Sequence, residues 1–322
     1  MSGVATRAVD EDEADIRLDR WFRRHFPDVT QGVIQRLCRT GQIRVDGRRV
    51  AAATRLAAGQ SVRIPPLPAS PAPPPAPPPD ARVRAELDRM TLYRDSHLLV
   101  LDKPSGLPTQ GGPGISRHVD GMLAALGGGA QGRPRLVHRL DRDTSGVLVV
   151  ALTPGVAAKL AAAFRTRAVQ KTYWAVVVGR PVPVEGRIDL PLVRHEPGIG
   201  GARVAPATPG QREAARALTE YRTLDHAGRK LAWLELRPLT GRTHQLRVHC
   251  AAIGAPILGD EAYGTAVVEG FPSMLHLHAR RLVLPHPAGG TLAVEAPLPP
   301  HMLATFRALG FTAAAPLAPQ RA

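Results

Sequence analysis

Residues 138–151 read HRLDRDTSGVLVVA, a loop of alternating charge that passes through a glycine into an apolar run. Within nine residues stand two Asp, two Arg, a Thr and a Ser, and Val147–Leu152 then continues without a polar side chain. A short apolar run of this kind reads as a strand buried inside a sheet. Polar loops held by such rigid strands are frequent places for active sites. An opposite charge nearby favours the charged form of a carboxylate, so Asp141 or Asp143 could serve as nucleophile, base or electrostatic stabiliser. The alternative, a turn whose charges face water, is left open by the spacing. Further candidate strands are Leu98–Lys103, Thr172–Val178, Leu231–Leu236 and Leu275–Leu284. Thr153-Pro154 has the form of an N-cap followed by proline at the first helical position, opening a helix whose buried stripe includes Leu160 and Phe164. A second helix is expected from about Thr243 to Ile253, closed by Gly254. Many irregularly spaced strands with few helices predict an α+β fold, a mixed and largely antiparallel sheet flanked by helices, rather than a doubly wound nucleotide fold.

The 322 residues and 34.4 kDa allow one large domain or two ordinary ones. The clearest boundary is PPLPASPAPPPAPPP at residues 65–79, in which ten of fifteen residues are proline. Such a run forms neither helix nor inner strand and favours extended polyproline II, a semi-rigid spacer. The expected organisation is a disordered acidic tail at 1–15, a small basic module at 16–64 and a Pro-rich linker at 65–89. The main body follows at 90–312, with a disordered tail at 313–322. In the small module Leu18, Trp21, Phe22 and Phe26 recur at helical spacing, and Val33, Ile34, Leu37 and Cys38 do so again. Thr30 and Gly41 are a plausible start and stop for the second helix. Ile43 and Val45 alternate, Asp46-Gly47 reads as a turn, and a second short strand ends at Val62–Ile64. Two helices followed by a β-turn-β element with a dense arginine surface resemble the S4 RNA-binding module. The segments RLDRWF and GVIQRLCRTGQIRVDGRRV carry that likeness. It implies RNA contacts through Arg20, Arg24, Arg36, Arg39, Arg44 and Arg48.

Charge points the same way. Lys+Arg is 42 against 27 Asp+Glu, a net +15, which calls for a polyanionic partner, nucleic acid or an acidic membrane surface. Residues 16–64 hold eleven Arg and three Asp, so +8 of that excess sits in 49 residues. The longest apolar stretch, Val147–Leu152, is far below the roughly 18 residues of a membrane span. The N-terminus lacks the apolar core of a secretory signal. Cys38 and Cys250 stand far apart, which argues against a disulfide scaffold or zinc finger and for a reducing, cytoplasmic setting.

HRLDRDTSG closely resembles the catalytic motif of the RluA-like pseudouridine synthases, HRLD-x-x-TSG. Other segments match that family in order: Leu92-Tyr93 with HLLVLDKPSGLP (His97–Pro108), KTYWAVVVG (Lys171–Gly179), LRPLTGRTHQLRVH (Leu236–His249), GAPILGDEAYG (Gly254–Gly264) and HLHARRLVLPHP (His276–Pro287). The S4-like module and the QGGPGIS stretch (Gln110–Ser116) resemble its RluC/RluD-like branch, which acts on large-subunit ribosomal RNA. The resemblance implies an enzyme that breaks the glycosidic C–N bond of uridine, turns the base and rejoins it through C5. No redox change or energy input is required, so no cofactor and no metal is expected. Neither a P-loop nor a GxGxxG fingerprint occurs.

By position, the resemblance makes Asp141 the essential aspartate and Arg247 the arginine that pairs with it. Tyr173 becomes the tyrosine that stacks on the target base, a role that rests on the resemblance, since its spacing alone favours an ordinary strand core residue. A uridine in folded RNA must first be extruded, and Arg139 corresponds to the arginine that enters the vacated stack. Arg242 and His244 are expected to shape the pocket or contact RNA. Asp143 falls on a variable position and is expected at the surface. His244, His249, His276 and His278 could in principle bind metal, but HLH is strand alternation and no carboxylate-rich partner motif accompanies it. The expected partner is large-subunit rRNA or its precursor particle, met by a monomer with no membrane contact. Alternatives are a tRNA substrate, a non-catalytic ribosome-assembly factor, or a glycosidase built on two carboxylates about 5–10 Å apart.

Overall fold

The computed structural model describes residues 4–26, 29–67, 81–112, 114–127, 133–166, 168–195, 204–208, 210–264 and 268–321. Most of the proline run, 68–80, lies outside the described residues. The chain divides into two compact units, 1–76 and 77–322.

In the smaller unit, strand β1 (Ala5–Ala8) precedes helices α1 (Leu18–His25) and α2 (Gln31–Arg39). Strands β2 (Arg44–Val45), β3 (Arg48–Arg49) and β4 (Ser61–Ile64) complete an antiparallel sheet in the order β1-β4-β2-β3. Leu18, Trp21, Phe22, Ile34, Ile43, Val62 and Ile64 form the buried core. Asp46 and Gly47 both take positive φ, 49° and 75°, the backbone a tight hairpin turn demands. The acidic segment expected as a disordered tail is instead structured. β1 pairs with β4, and Val9 is buried in the core. Glu13 is only 2% exposed and accepts hydrogen bonds from Trp21 Nε1 and, at the same 2.6 Å, lies against His25 Nε2. Burial by itself would push this carboxyl up, but the bonds to Trp21, His25 and the Asp10 backbone outweigh it and hold it below the usual range.

The larger unit begins with helix α3 (Ala81–Arg89), a segment expected to belong to the linker. Val83, Leu87 and Met90 share one helical face and pack into the core beside Leu99, Leu101 and Leu148, so this stretch belongs to the body. Its strands are β5 (Thr91–Arg94), β6 (Leu98–Lys103), β7 (Arg135–Leu136), β8 (Ser145–Ala151), β9 (Gln170–Val178), β10 (Glu185–Asp189), β11 (Leu192–Arg194), β12 (Val204–Pro206), β13 (Leu218–Ala227), β14 (Leu231–Pro238), β15 (Leu277–Pro285), β16 (Thr291–Glu295) and β17 (Gln320–Arg321). Its other helices are α4 (Val119–Met122), α5 (Pro154–Arg165), α6 (Gln245–Ala252) and α7 (Pro300–Leu309).

The main sheet runs β10-β13-β14-β9-β15-β8-β6-β5, with β16 beside β15, β17 beside β16 and β7 beside β8. Its one parallel pair is β8 with β15, through Ser145–His278 and Gly146–Ala279; the other pairs are antiparallel. The mixed, mostly antiparallel sheet of an α+β fold is therefore as expected. β8 is buried at every position because both faces are covered. Val147 and Val149 pack toward α5, Leu148 and Val150 toward α3 and α4. Thr153 caps α5 by accepting a hydrogen bond from the Val156 backbone N–H. Residues 313–321, expected as a disordered tail, run along the sheet edge. Arg280 Nη2 donates to Ala314 O, the Leu317 backbone N–H donates to Glu295 Oε2, and β17 pairs with β16. Among the described residues no helix is long and apolar enough to cross a membrane.

Candidate active site

The loop 138–144 is held in place from beneath. Lys103, fully buried at the end of β6, donates from Nζ to the carbonyls of Pro104, Leu107 and Arg142 at 2.8, 2.8 and 2.9 Å. Desolvation pulls its ammonium down to about 8, against the opposing pull of Asp143, Asp141 and Asp102. Thr109 Oγ1 donates to Leu140 O at 2.7 Å and accepts from the Leu140 N–H. Ser105 Oγ donates to Asp143 O. The segment 103–109 thus fixes the backbone on both sides of Asp141, which is itself half-buried. His138 is structural rather than catalytic. Burial drives its imidazole down to about 3, and as a neutral ring its Nε2 accepts the Val149 N–H at 2.8 Å while it stacks on Phe164. Gly146 sits at φ +106°, where a Cβ would overlap the Ala279 carbonyl. That is where β8 and β15 converge, and it explains the glycine of the motif.

A second segment faces the loop. Gln245 opens α6 and ties it down: Oε1 accepts from Thr240 Oγ1 and the Arg242 N–H, and Nε2 donates to Leu218 O. His244 precedes it in the left-handed region, φ 52° and ψ 16°, a conformation that costs a non-glycine residue about 1–3 kcal/mol and gathers at functional sites. Its Nε2 lies 3.9 Å from Asp141 Oδ2, and its Nδ1 lies 2.8 Å from the Tyr263 hydroxyl. The Val204 N–H donates to that same hydroxyl. Burial lowers the His244 pKa, with Asp141 pulling the other way.

Arg247 departs from expectation. Its Nε and Nη2 donate to the two carboxylate oxygens of Asp260 at 2.8 and 2.6 Å, and its guanidinium lies 5.2 Å from the Tyr263 ring. The expected pairing with Asp141 is absent from the ion pairs of the described residues. Asp260 is the stronger claimant because its side chain is fully enclosed beside the guanidinium and also accepts the Ala262 and Tyr263 N–H groups.

Asp141, Tyr173, Arg139, Arg242, His244 and Arg247 all line one cleft of about 810 Å³. Tyr173 projects from β9, opposite Leu236 of β14 and Ala279 of β15. Burial, then the charge of Asp141, pushes its phenol well above the ordinary value. Arg139 is exposed at the cleft, and Arg242 donates from Nε to Arg216 O. Asp143 turns outward onto Arg142, at 2.9 and 3.1 Å, and so does not form a catalytic carboxylate pair with Asp141. Arg165, Lys171, Arg237 and Arg281 also line the cleft; their clustering depends on strand pairing and was not legible in the sequence. In the smaller unit Arg20, Arg36, Arg39 and Arg48 are exposed, Arg24 pairs with Asp12, and Arg44 donates to Gly41 O and Gly47 O.

The four histidines considered as metal ligands each have other partners. His249 contacts Thr219 and Leu190, His276 contacts Thr305, and His278 contacts Ser145. Among the described residues one cluster of metal-type donors occurs, Asp95, His97 and His286, away from the cleft. Its members are already hydrogen-bonded: His286 Nε2 and Tyr93 Oη meet Asp95 Oδ2, and His97 Nδ1 meets Ser96.

A half-buried carboxylate and a buried phenol share a cleft lined by several cations, a lining suited to a polyanion. The comparisons name the class. The RNA pseudouridylate synthase family model matches residues 97–252. The protein named ribosomal large subunit pseudouridine synthase C of Vibrio cholerae is 35% identical over 91% of this chain and 93% of its own length. The protein of that name from Escherichia coli is 36% identical over 90% of this chain and 92% of its own. The solved structure of human RNA pseudouridylate synthase domain containing 4 is 31% identical, covers 71% of this chain and 96% of that one, and superposes with a TM-score of 0.60. The chain belongs to the RNA pseudouridylate synthase family.

Proposed function

We propose that this enzyme isomerises uridines of large-subunit ribosomal RNA to pseudouridine. The observation that carries the reading is the half-buried Asp141, set between Tyr173, His244 and Arg247 on the floor of a cation-lined cleft. Its relatives named for the large ribosomal subunit, which match this chain nearly end to end, supply the substrate class.

The target uridine is drawn out of its stack, at a cost of a few kcal/mol, and Arg139 fills the gap with its planar guanidinium. Tyr173 stacks on the uracil. Asp141 engages the nucleoside as the C1′–N1 bond breaks; the base turns, C1′ joins C5, the C5 proton leaves and N1 gains a proton. Atoms and electrons balance within the substrate, so the reaction calls for neither redox cofactor nor metal. The smaller unit acts as an S4-type module, its exposed arginines contacting RNA phosphates. The enzyme works as a cytoplasmic monomer on rRNA or its precursor particle.

The test incubates the protein and its Asp141→Asn variant with unmodified large-subunit rRNA and, separately, with unmodified tRNA. Carbodiimide labelling and primer extension map any pseudouridine. Stops on rRNA that vanish with the variant are expected. Stops on tRNA alone would overturn the substrate, and silence on naked rRNA and on precursor particles would overturn the activity.

A further inference from the structure

Lys171 is a cation without an anionic partner among the described residues. It stands on β9 in the cleft, half-buried, and among the described residues it makes no hydrogen bond and no ion pair. Its one charge contact is the face of Phe164, 5.8 Å from ring centroid to Nζ. The other lysines of the larger unit differ. Lys103 is saturated by three carbonyls, Lys159 reaches Pro287 O, and Lys230 is exposed in the turn between β13 and β14. Burial lowers the Lys171 pKa, the sign of an ammonium desolvated without compensation. Such a group is costly unless an anion completes it.

Three elements surround the ammonium. Phe164 and Arg165 end α5, β9 supplies Lys171 itself, and the 238–243 loop closes over it, with Gly241 placed so that even a Cβ there would come within 3.7 Å of Nζ. Residues two apart on a strand lie about 6.8 Å from each other. Lys171 and Tyr173 stand two apart on β9, across an irregularity in its pairing with β15, and both line the cleft. Arg165 and Arg281 line the same cleft, Arg281 within 3.4 Å of Glu295, so Arg165 and Lys171 leave a local positive excess.

We infer that Lys171 anchors an RNA phosphate next to the target uridine, fixing the backbone of the nucleotide whose base lies on Tyr173. This rests on the reading of the cleft as the uridine site. A phosphate supplies the full negative charge that the ammonium lacks, whereas a uracil carbonyl does not. Each phosphate neutralised by a protein cation releases counterions, and the number released is read from the salt dependence of binding.

The experiment measures equilibrium binding of an unmodified large-subunit rRNA transcript across a series of KCl concentrations. The proteins compared are wild type, Lys171→Met, Lys171→Arg and, as control, Lys230→Met. Lys171→Met is expected to weaken binding and to reduce the slope of log K against log[KCl] by about 1. Lys171→Arg restores the slope, and Lys230→Met leaves it unchanged. In turnover assays on the same transcript the Lys171→Met defect falls in KM rather than in kcat. An unaltered slope with a kcat defect would overturn the inference, because Lys171 would then act on the base. Equal loss of slope in Lys230→Met would overturn it as nonspecific. Pseudouridine formation by the wild type is scored separately, so a failed substrate assignment is told apart from a failed phosphate site.

Discussion

Arg247 grips Asp260, not Asp141. Both bonds of the fork are short, 2.8 and 2.6 Å, and both partners are enclosed. The guanidinium still lies near enough to Asp141 for its charge to help raise the Arg247 pKa, after the larger influences of burial and Asp260. A positive charge is thus held near Asp141 without an ion pair to its oxygens among the described residues. Charge-assisted, bidentate pairs are the geometry that keeps an arginine in one place.

Removing Asp260 should therefore damage the site through Arg247. Asp260→Asn keeps the shape and the acceptor for the Ala262 and Tyr263 N–H groups but leaves a buried guanidinium uncompensated. Breaking a buried pair in this way costs about 3–5 kcal/mol. Urea unfolding should show that loss together with a fall in kcat. A change below about 1 kcal/mol would mean the pair is not the clamp.

Tyr263→Phe tests the link from Tyr263 through His244 to Asp141. The variant retains the ring against Arg247 but deprives His244 Nδ1 and the Val204 N–H of their partner. Losing two ordinary hydrogen bonds predicts about 1–3 kcal/mol of stability. If the hydroxyl sets which imidazole nitrogen carries the proton, kcat should also fall and its pH profile should move. A stability loss with an unchanged profile would reduce Tyr263 to a structural role.

Gly146→Ala should not yield folded protein. The added methyl meets the Ala279 carbonyl, and φ +106° is closed to alanine. Soluble expression with native circular dichroism would contradict the close approach of β8 and β15.

The strands flanking the motif were legible because buried runs such as Val147–Leu152 and Leu98–Lys103 need no partner to be recognised. β13 was missed: a bulge between Thr223 and Asp225 breaks its alternation, and it carries charges on its exposed side. Asp141 could be singled out from its loop and lies in the cleft, whereas Asp260 could not be assigned. Its partner is thirteen residues away, and nothing in GDEAYG states which guanidinium it will meet. Both chain ends were misread for one reason. Acidic or Ala/Pro-rich composition signals weak burial on average, while a single residue such as Glu13 can be an internal acceptor.

Glu13 makes that misreading testable. Glu13→Ala leaves Trp21 Nε1–H buried without an acceptor, which predicts about 1–3 kcal/mol of destabilisation, and a truncation beginning at Ile16 should be worse because it also removes β1. Trp21 is the natural reporter. Tryptophan fluorescence unchanged by either alteration, with an unshifted unfolding midpoint, would restore the segment to a tail.

Acid should destabilise the larger unit as pH falls below about 6.5, through histidines that the fold keeps neutral. Burial drives His138 and His278 down to about 3 and His276 to about 4 from an ordinary 6.5. A folded pKa below the unfolded one means the unfolded chain binds protons first. The contribution is complete above about pH 6.5 and is lost as pH falls toward 4. His249 and His301, displaced downward mainly by burial, act in the same direction. Asp102 opposes them: burial raises its carboxyl to about 6, so on acidification the folded state gains a proton there before the unfolded chain does. Three histidines against one aspartate leave a net uptake of about two protons on unfolding near pH 5. That corresponds to roughly 3 kcal/mol lost per pH unit. Urea midpoints measured between pH 7 and 4.5 should fall accordingly. A flat profile over that range would show that these imidazoles are not held neutral by the fold.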